Sequence, residues 1–472
     1  MRNLKQIAPV IGWLAAVLVC ASPILAKKQD GEKPKPAARD YSLLSDTVEN
    51  QSDVDTARPA LQPDNLPLSG IQNPTVGIAE VRHSYWVPGI RYSNALRSNG
   101  SNPTTNSGWN TTSFVSTDLS LLQAWSHSTL SMDYSGGGYF STDRLQGNGQ
   151  YQQLATSYQI DRRRWQLLFM DQFSYLPESS FGLGGPSGLS SPGVAGTLAV
   201  PLPSFQTGYI PGQAILSAIG PRYSNSGAAQ LTYKLSARGS FTIAAVYGML
   251  RFVDGGNVNS DTEMLNAGYD YALSARDTIG VSYRFGAYRY QGNPQALGDH
   301  TAQIEYGRKI TGKMALKVGG GPEITTLRVP VGTSNERISG SGTASLVYSF
   351  APTSNVIFHY THGVSGGSGV FSGATSDQVG ASLAKRLTRA WNGTLNFDYA
   401  RNRQILTASS APSFDTWAVG GGLNRSLGRT AYFSIGYQTL IQQSSAGAAT
   451  TNYTTNQVFL SFQWHSRPLI LR

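Results

Sequence analysis

The residues able to do chemistry are few and of mixed sign. Asp118, Asp133, Asp270, Glu305 and Asp398 sit on polar faces of alternating segments, and so do Lys234, Arg284, Lys309 and Lys317. A ring of one sign would select strongly among ions. This mixture predicts a pore lining of weak selectivity, or salt bridges that simply hold a wall together. His359 and His362 are three residues apart. In a strand that spacing turns them to opposite faces, so they cannot share a metal as they could on a helix. The run 182–188 (GLGGPSG) has the glycines of a phosphate-cradling loop but lacks its lysine and following helix. Ser and Asp are abundant without forming a distinctive Ser/His/acid grouping, so no catalytic residue, metal or cofactor is assigned and the chain is read as a non-enzyme.

These side chains belong to a pattern that recurs over 88–466: about ten residues of alternating apolar and polar character, then a turn. In the last copy Val458, Leu460, Phe462 and Trp464 share one face, with Gln457, Ser461, Gln463 and His465 on the other. Side chains alternate across a strand, so such a segment needs oil on one side and water on the other. The pattern predicts about eighteen strands, with sixteen as the alternative. Short turns are expected near residues 126, 162, 238, 276, 311, 352, 388 and 428, in exchange with longer polar loops. That exchange is what an up-and-down transmembrane barrel requires. Trp125, Tyr134, Tyr158, Trp165, Tyr175, Tyr288, Tyr348, Trp391, Tyr432 and Trp464 fall near strand ends and are expected to form interfacial girdles. In 165–175 the apolar face of Trp165, Leu167, Phe169, Phe173 and Tyr175 carries Asp171 toward lipid, so a bulge or a membrane-edge position is expected there.

The composition supports oil outside and water within. Only 14% of residues are charged and mean hydropathy is −0.23. Gly (52) and Tyr (24) are plentiful alongside Ser, Thr, Asn and Gln. No window reaches roughly 18 consecutive apolar residues after the N-terminus, which excludes a helical membrane protein. Residues 1–26 read as a signal peptide: Arg2 and Lys5, an apolar run, then cleavage after Ala26. Cleavage there removes Cys20, the single cysteine. The net charge of +10 is scattered and the export signal leads away from the cytoplasm, so no nucleic-acid partner is expected. Residues 27–87 read as a disordered periplasmic tail or a small plug, 88–466 as the barrel, and 467–472 as a C-terminal extension. Segment 177–224 is a long loop, uncharged from 179 to 221, expected to act as a constriction or a lid.

The export signal, the alternating strands and the aromatic-rich segment 458–464 (VFLSFQW) resemble bacterial outer-membrane β-barrel proteins of the porin-like kind. The stretch 171–179 (DQFSYLPES) with Phe181-Gly182 also looks like uncharacterised members of that class. The resemblance is architectural and covers 88 onward. It implies an all-β, antiparallel up-and-down transmembrane barrel in the outer membrane of a Gram-negative-type bacterium. Its implied partners are outer-membrane lipid and lipopolysaccharide, the barrel-assembly machinery, and further copies of the chain in a homo-oligomer. The implied function is a channel for small hydrophilic solutes. The alternatives are a plugged, anchoring or polymer-exporting barrel and, third, an outer-membrane enzyme. Family chains often end on an aromatic residue, whereas this one continues past Trp464.

Overall fold

The computed structural model describes residues 68–71, 84–98, 108–143, 147–176, 220–253, 257–292, 295–328, 335–351, 354–367, 369–405, 412–444 and 452–470. All belong to the larger of two compact units, Val48–Arg472. The expected signal peptide, most of the expected tail and the bulk of the long loop (177–219) lie outside the described residues.

The strands, in chain order, are β1 Tyr85–Ser98, β2 Trp109–Ala124, β3 Ser128–Ser141, β4 Gly149–Asp161, β5 Trp165–Leu176 and β6 Arg222–Lys234. They continue as β7 Gly239–Phe252, β8 Ser260–Ala272, β9 Asp277–Tyr290, β10 Ala296–Thr311, β11 Met314–Arg328 and β12 Asn335–Ala351. The last are β13 Ser354–Ser365, β14 Ala374–Arg386, β15 Trp391–Gln404, β16 Ser413–Ser426, β17 Ala431–Ser444 and β18 Tyr453–His465. Each pairs antiparallel with its sequence neighbours, and β18 returns to β1, from Gly89 opposite His465 to Arg97 opposite Gln457. The sheet is therefore a closed barrel of 18 long strands, which excludes sixteen. Among the described residues there is no helix. Closure gives every strand a partner on each side, so no free edge strand is presented to hydrocarbon.

The strand ends joined by the eight short connections, such as 125–127 and 312–313, lie where β1 begins and β18 finishes; the strand ends joined by the longer ones lie at the other end. On the outer face Ile243, Leu265, Val281, Ile304, Leu395 and Leu460 are 44–63% exposed. In water so broad an apolar belt would drive aggregation; in a bilayer it is the lipid contact.

Several expectations are corrected by the pairing. The first strand begins at Tyr85, three residues before the expected start of the barrel at 88, because Trp86, Ile90 and Tyr92 already alternate outward. Residues Leu469–Ile470 form a two-residue strand, β19, against Tyr85 and Trp86, so the chain adds pairing beyond β18. Tyr288 and Tyr432 are not girdle residues. Tyr288 is 2% exposed on the lumen side, and Tyr432 stacks on the inward His465 ring at 5.3 Å. Asp171 is not relieved by a bulge: β5 pairs in unbroken register with both neighbours, placing it mid-strand on the outer row. There Asn225 Nδ2 donates to its Oδ1 at 3.1 Å, and the glycine opposite, Gly227, leaves room for the carboxylate.

Candidate functional site

The lumen is built by the inward rows of the strands. All nine sequence-selected charges occupy those rows. Lys234, at the last position of β6, and Lys309, near the β10–β11 turn, stand at the turn end; the other seven lie deeper. They are mostly paired, and several of their partners were not anticipated. Asp118 meets Arg91 at 2.8 Å, with side chains 2% and 3% exposed, and Gln463 Nε2 approaches it at 3.5 Å. Asp133 accepts from Ser120. Glu305 pairs with Lys317 at 3.2 Å and accepts from Ser282 at 3.0 Å. Arg284 lies between two carboxylates, Asp299 at 3.4 Å and Glu323 at 3.8 Å. Thr301 donates to Asp299 at 3.0 Å, and Ser339 donates to Glu323 at 3.3 Å. Charges this deep persist because opposite charges and hydroxyls meet them; removing one partner costs about 3–5 kcal/mol.

Asp398 and His359 approach across β14, Nε2 to Oδ1 at 3.8 Å. Register places Gly380 between them, and a Cβ there would overlap both side chains. His362 faces the other side of the same strand and pairs with Asp377 at 2.5 Å, as the odd spacing of the two histidines requires. Among the described residues no cluster of three or more His, Cys, Asp or Glu could hold a metal ion.

Two pieces of chain enter the lumen. The first is 68–71. Ser69 Oγ donates to Asp270 Oδ2 at 2.8 Å and Asn266 Nδ2 donates to the Ser69 carbonyl at 2.5 Å. Ile71 N donates to Gln230 Oε1 at 2.9 Å, and Lys317 Nζ donates to the Leu68 carbonyl. The wall is notched to receive it. A Cβ on Gly268 would overlap Ser69, and one on Gly307 would lie 2.8 Å from Leu68 Cδ2. Ile71 is completely buried and joins an inward apolar strip with Leu168, Met170, Val246, Met264 and Tyr288.

The second is the β13–β14 connection, described at 366–367 and 369–373. β12 and β13 pair only from Gly342 opposite His362 downward. Above that point β13 leaves β12, and Val364 N donates to Glu323 Oε1 at 3.1 Å. The connection then reaches across to the β7–β8 loop, where Val258 N donates to the Gly369 carbonyl at 2.7 Å. Phe371 is buried against Phe414, ring centroids 5.2 Å apart. Gly367 and Gly373 adopt φ of 77° and 93°, a left-handed backbone that glycine tolerates best. This connection supplies an inward loop among the described residues; most of 177–224, the segment expected to act as a constriction or a lid, lies outside them.

The residues missed were Arg91, Asp299, Glu323, segment 68–71 and connection 366–373. Arg91 and Glu323 were recoverable from alternation, Arg91 lying between Ile90 and Tyr92 and Glu323 between Pro322 and Ile324.

A closed antiparallel barrel with an apolar exterior and a polar, charge-paired interior defines the porin type of architecture. No protein-family model matches the chain, and no curated protein matches it. Solved structures similar in fold include Pseudomonas aeruginosa OccK2 (OpdF), at 9% identity over 81% of this chain and 98% of that one, TM-score 0.42. Pseudomonas aeruginosa OccK5 (OpdH) is 12% identical over 82% of this chain and all (100%) of that one, TM-score 0.42. A BenF-like porin from Pseudomonas fluorescens Pf-5 is 11% identical over 83% and 100%, TM-score 0.42. These are likenesses of fold.

Proposed function

We propose that the protein is an outer-membrane channel that passes small hydrophilic solutes, with the short-turn end in the periplasm and the long loops outside. The observation that carries this reading is the closed 18-strand wall, apolar outward and lined inward by Asp118, Asp270, Arg284, Glu305, Lys317 and Asp398. A barrel of this strand number encloses more space than its own wall side chains fill. The inward segments at 68–71 and 366–373 narrow that space. Opposite charges offset one another along the lining, so ion preference is weak. Purified protein in a planar bilayer should show discrete open events in KCl. Their absence from both the wild type and a variant lacking 68–71 would refute the reading.

A second reading, a plugged barrel with an anchoring or exporting role, is favoured by the four hydrogen bonds that seat 68–71. It predicts a closed wild type and current only after that segment is displaced.

A further inference from the structure

We propose that the inward face of β14–β18 is a binding track for neutral, polyhydroxylated solutes, sugars by chemical class. This deepens the channel reading and rests on it. The two sides of the lumen differ in chemistry. On β8–β12 the inward rows carry Asp270, Arg284, Asp299, Glu305, Lys317 and Glu323. On β14–β18 the inward rows hold two residues with formal charge, Arg386 and Asp398, and Arg386 is turned onto the carbonyls of Thr388 and Arg389 at the barrel end. The remainder is dominated by amides and hydroxyls.

Five of these, Gln378, Asn402, Thr416, Gln438 and Gln457, are at most 5% exposed. Each carries at least one buried polar atom with no hydrogen-bond partner among the described residues, and Asn402 carries two, Nδ2 and Oδ1. Register joins them into one band. Ala400 lies between Gln378 and Thr416, Gln438 stands opposite Gln457, and Ala418 and Gly420 keep the intervening wall low. Side-chain amides donate and accept, which matches a hydroxyl that also does both, and they offer nothing extra to a formal charge. Buried amides left without partners are costly, so a band of them favours an occupant that supplies many hydrogen bonds.

An aromatic surface borders the band. Phe459 is inward on β18, and Gly436 stands directly opposite it on β17. A Cβ on Gly436 would overlap the Phe459 ring, and one on Gly422, the next strand over, would lie 3.9 Å from its Cζ. The ring therefore lies along the wall over two glycines and turns a flat face to the lumen. The C–H face of a sugar ring packs on such a surface while its hydroxyls reach the amides, a combination that neither inorganic ions nor small carboxylates can use.

The full-length protein, reconstituted in liposomes, is tested by osmotic swelling in D-glucose against gluconate and glucosamine, similar in size but charged. Block of KCl current by maltotriose in planar bilayers gives the affinity. Glucose should enter faster than either charged analogue. Gln438→Leu with Gln457→Leu should weaken maltotriose block about tenfold, as two lost neutral hydrogen bonds imply. Leu395→Ala on the outer face of the same wall should leave the block unchanged, and heat-modifiable gel migration establishes that each variant is folded. Equal entry of the three solutes, or a block untouched by the double variant, overturns the sugar track and leaves the channel standing. Absence of KCl current overturns the channel. In that event equilibrium dialysis with radiolabelled maltotriose decides the track: binding lost in the double variant supports it, and no binding overturns it.

Discussion

Gly268→Ala should unseat the lumen segment 68–71. A Cβ at Gly268 overlaps Ser69 Cβ, and the wall there is a strand held by β7 and β9 on both sides, so the segment must yield. Moving Ser69 by an ångström or so breaks its bond to the Asp270 carboxylate and the bond from Asn266 to its carbonyl. The first is worth about 1.5–3 kcal/mol and the second about 0.5–1.5 kcal/mol, together about 3 kcal/mol or roughly a hundredfold in the seating equilibrium. Thiol labelling reads this directly. In a Cys20→Ser background, Ile71→Cys puts a thiol where exposure is 0% while keeping the backbone bond to Gln230. A water-soluble maleimide should modify it slowly, and Gly268→Ala should raise the rate by about two orders of magnitude. Rates within about threefold of each other would refute the seating.

Asp118→Ala leaves the Arg91 guanidinium uncompensated at 2% exposure and should lower unfolding stability in urea by about 3–5 kcal/mol; adding Arg91→Leu should restore most of it. Glu323→Ala removes the acceptor of Val364 N, and amide exchange across 360–373, followed by mass spectrometry, should quicken about tenfold or more. Asp171→Leu replaces a mid-strand carboxylate on the outer face and should raise unfolding free energy in lipid vesicles by about 1–2 kcal/mol, read from the shift in urea midpoint. A loss of stability there would mean that the Asn225 contact outweighs exposure to lipid.

The wall was legible because its signal repeats. A period of two, imposed by lipid on one side and water on the other, recurs in every strand, and loop lengths carry the up-and-down order independently. The fillings of the lumen carry no such signal. Segment 68–71 is too short to show a period, and the notches that receive it, Gly268 and Gly307, look in sequence like any strand glycine. Glu323 follows the run Gly319, Gly320 and Gly321, where missing side chains interrupt the alternation, so that only the neighbouring Pro322 and Ile324 mark its face. The inward strip of Leu168, Met170, Val246 and Met264 reverses the expectation of a polar lumen, because it packs against Ile71 and Tyr288 instead of water. Connection 366–373 was not marked in the sequence because length, not anchoring, is what a sequence displays.

Single-channel recording in a planar bilayer, wild type beside Gly268→Ala, tests the channel most directly. Discrete KCl events with weak ion preference in the wild type, and a larger open fraction in the variant, are the predicted result. Silence from both, with each folded by heat-modifiable migration, would contradict it.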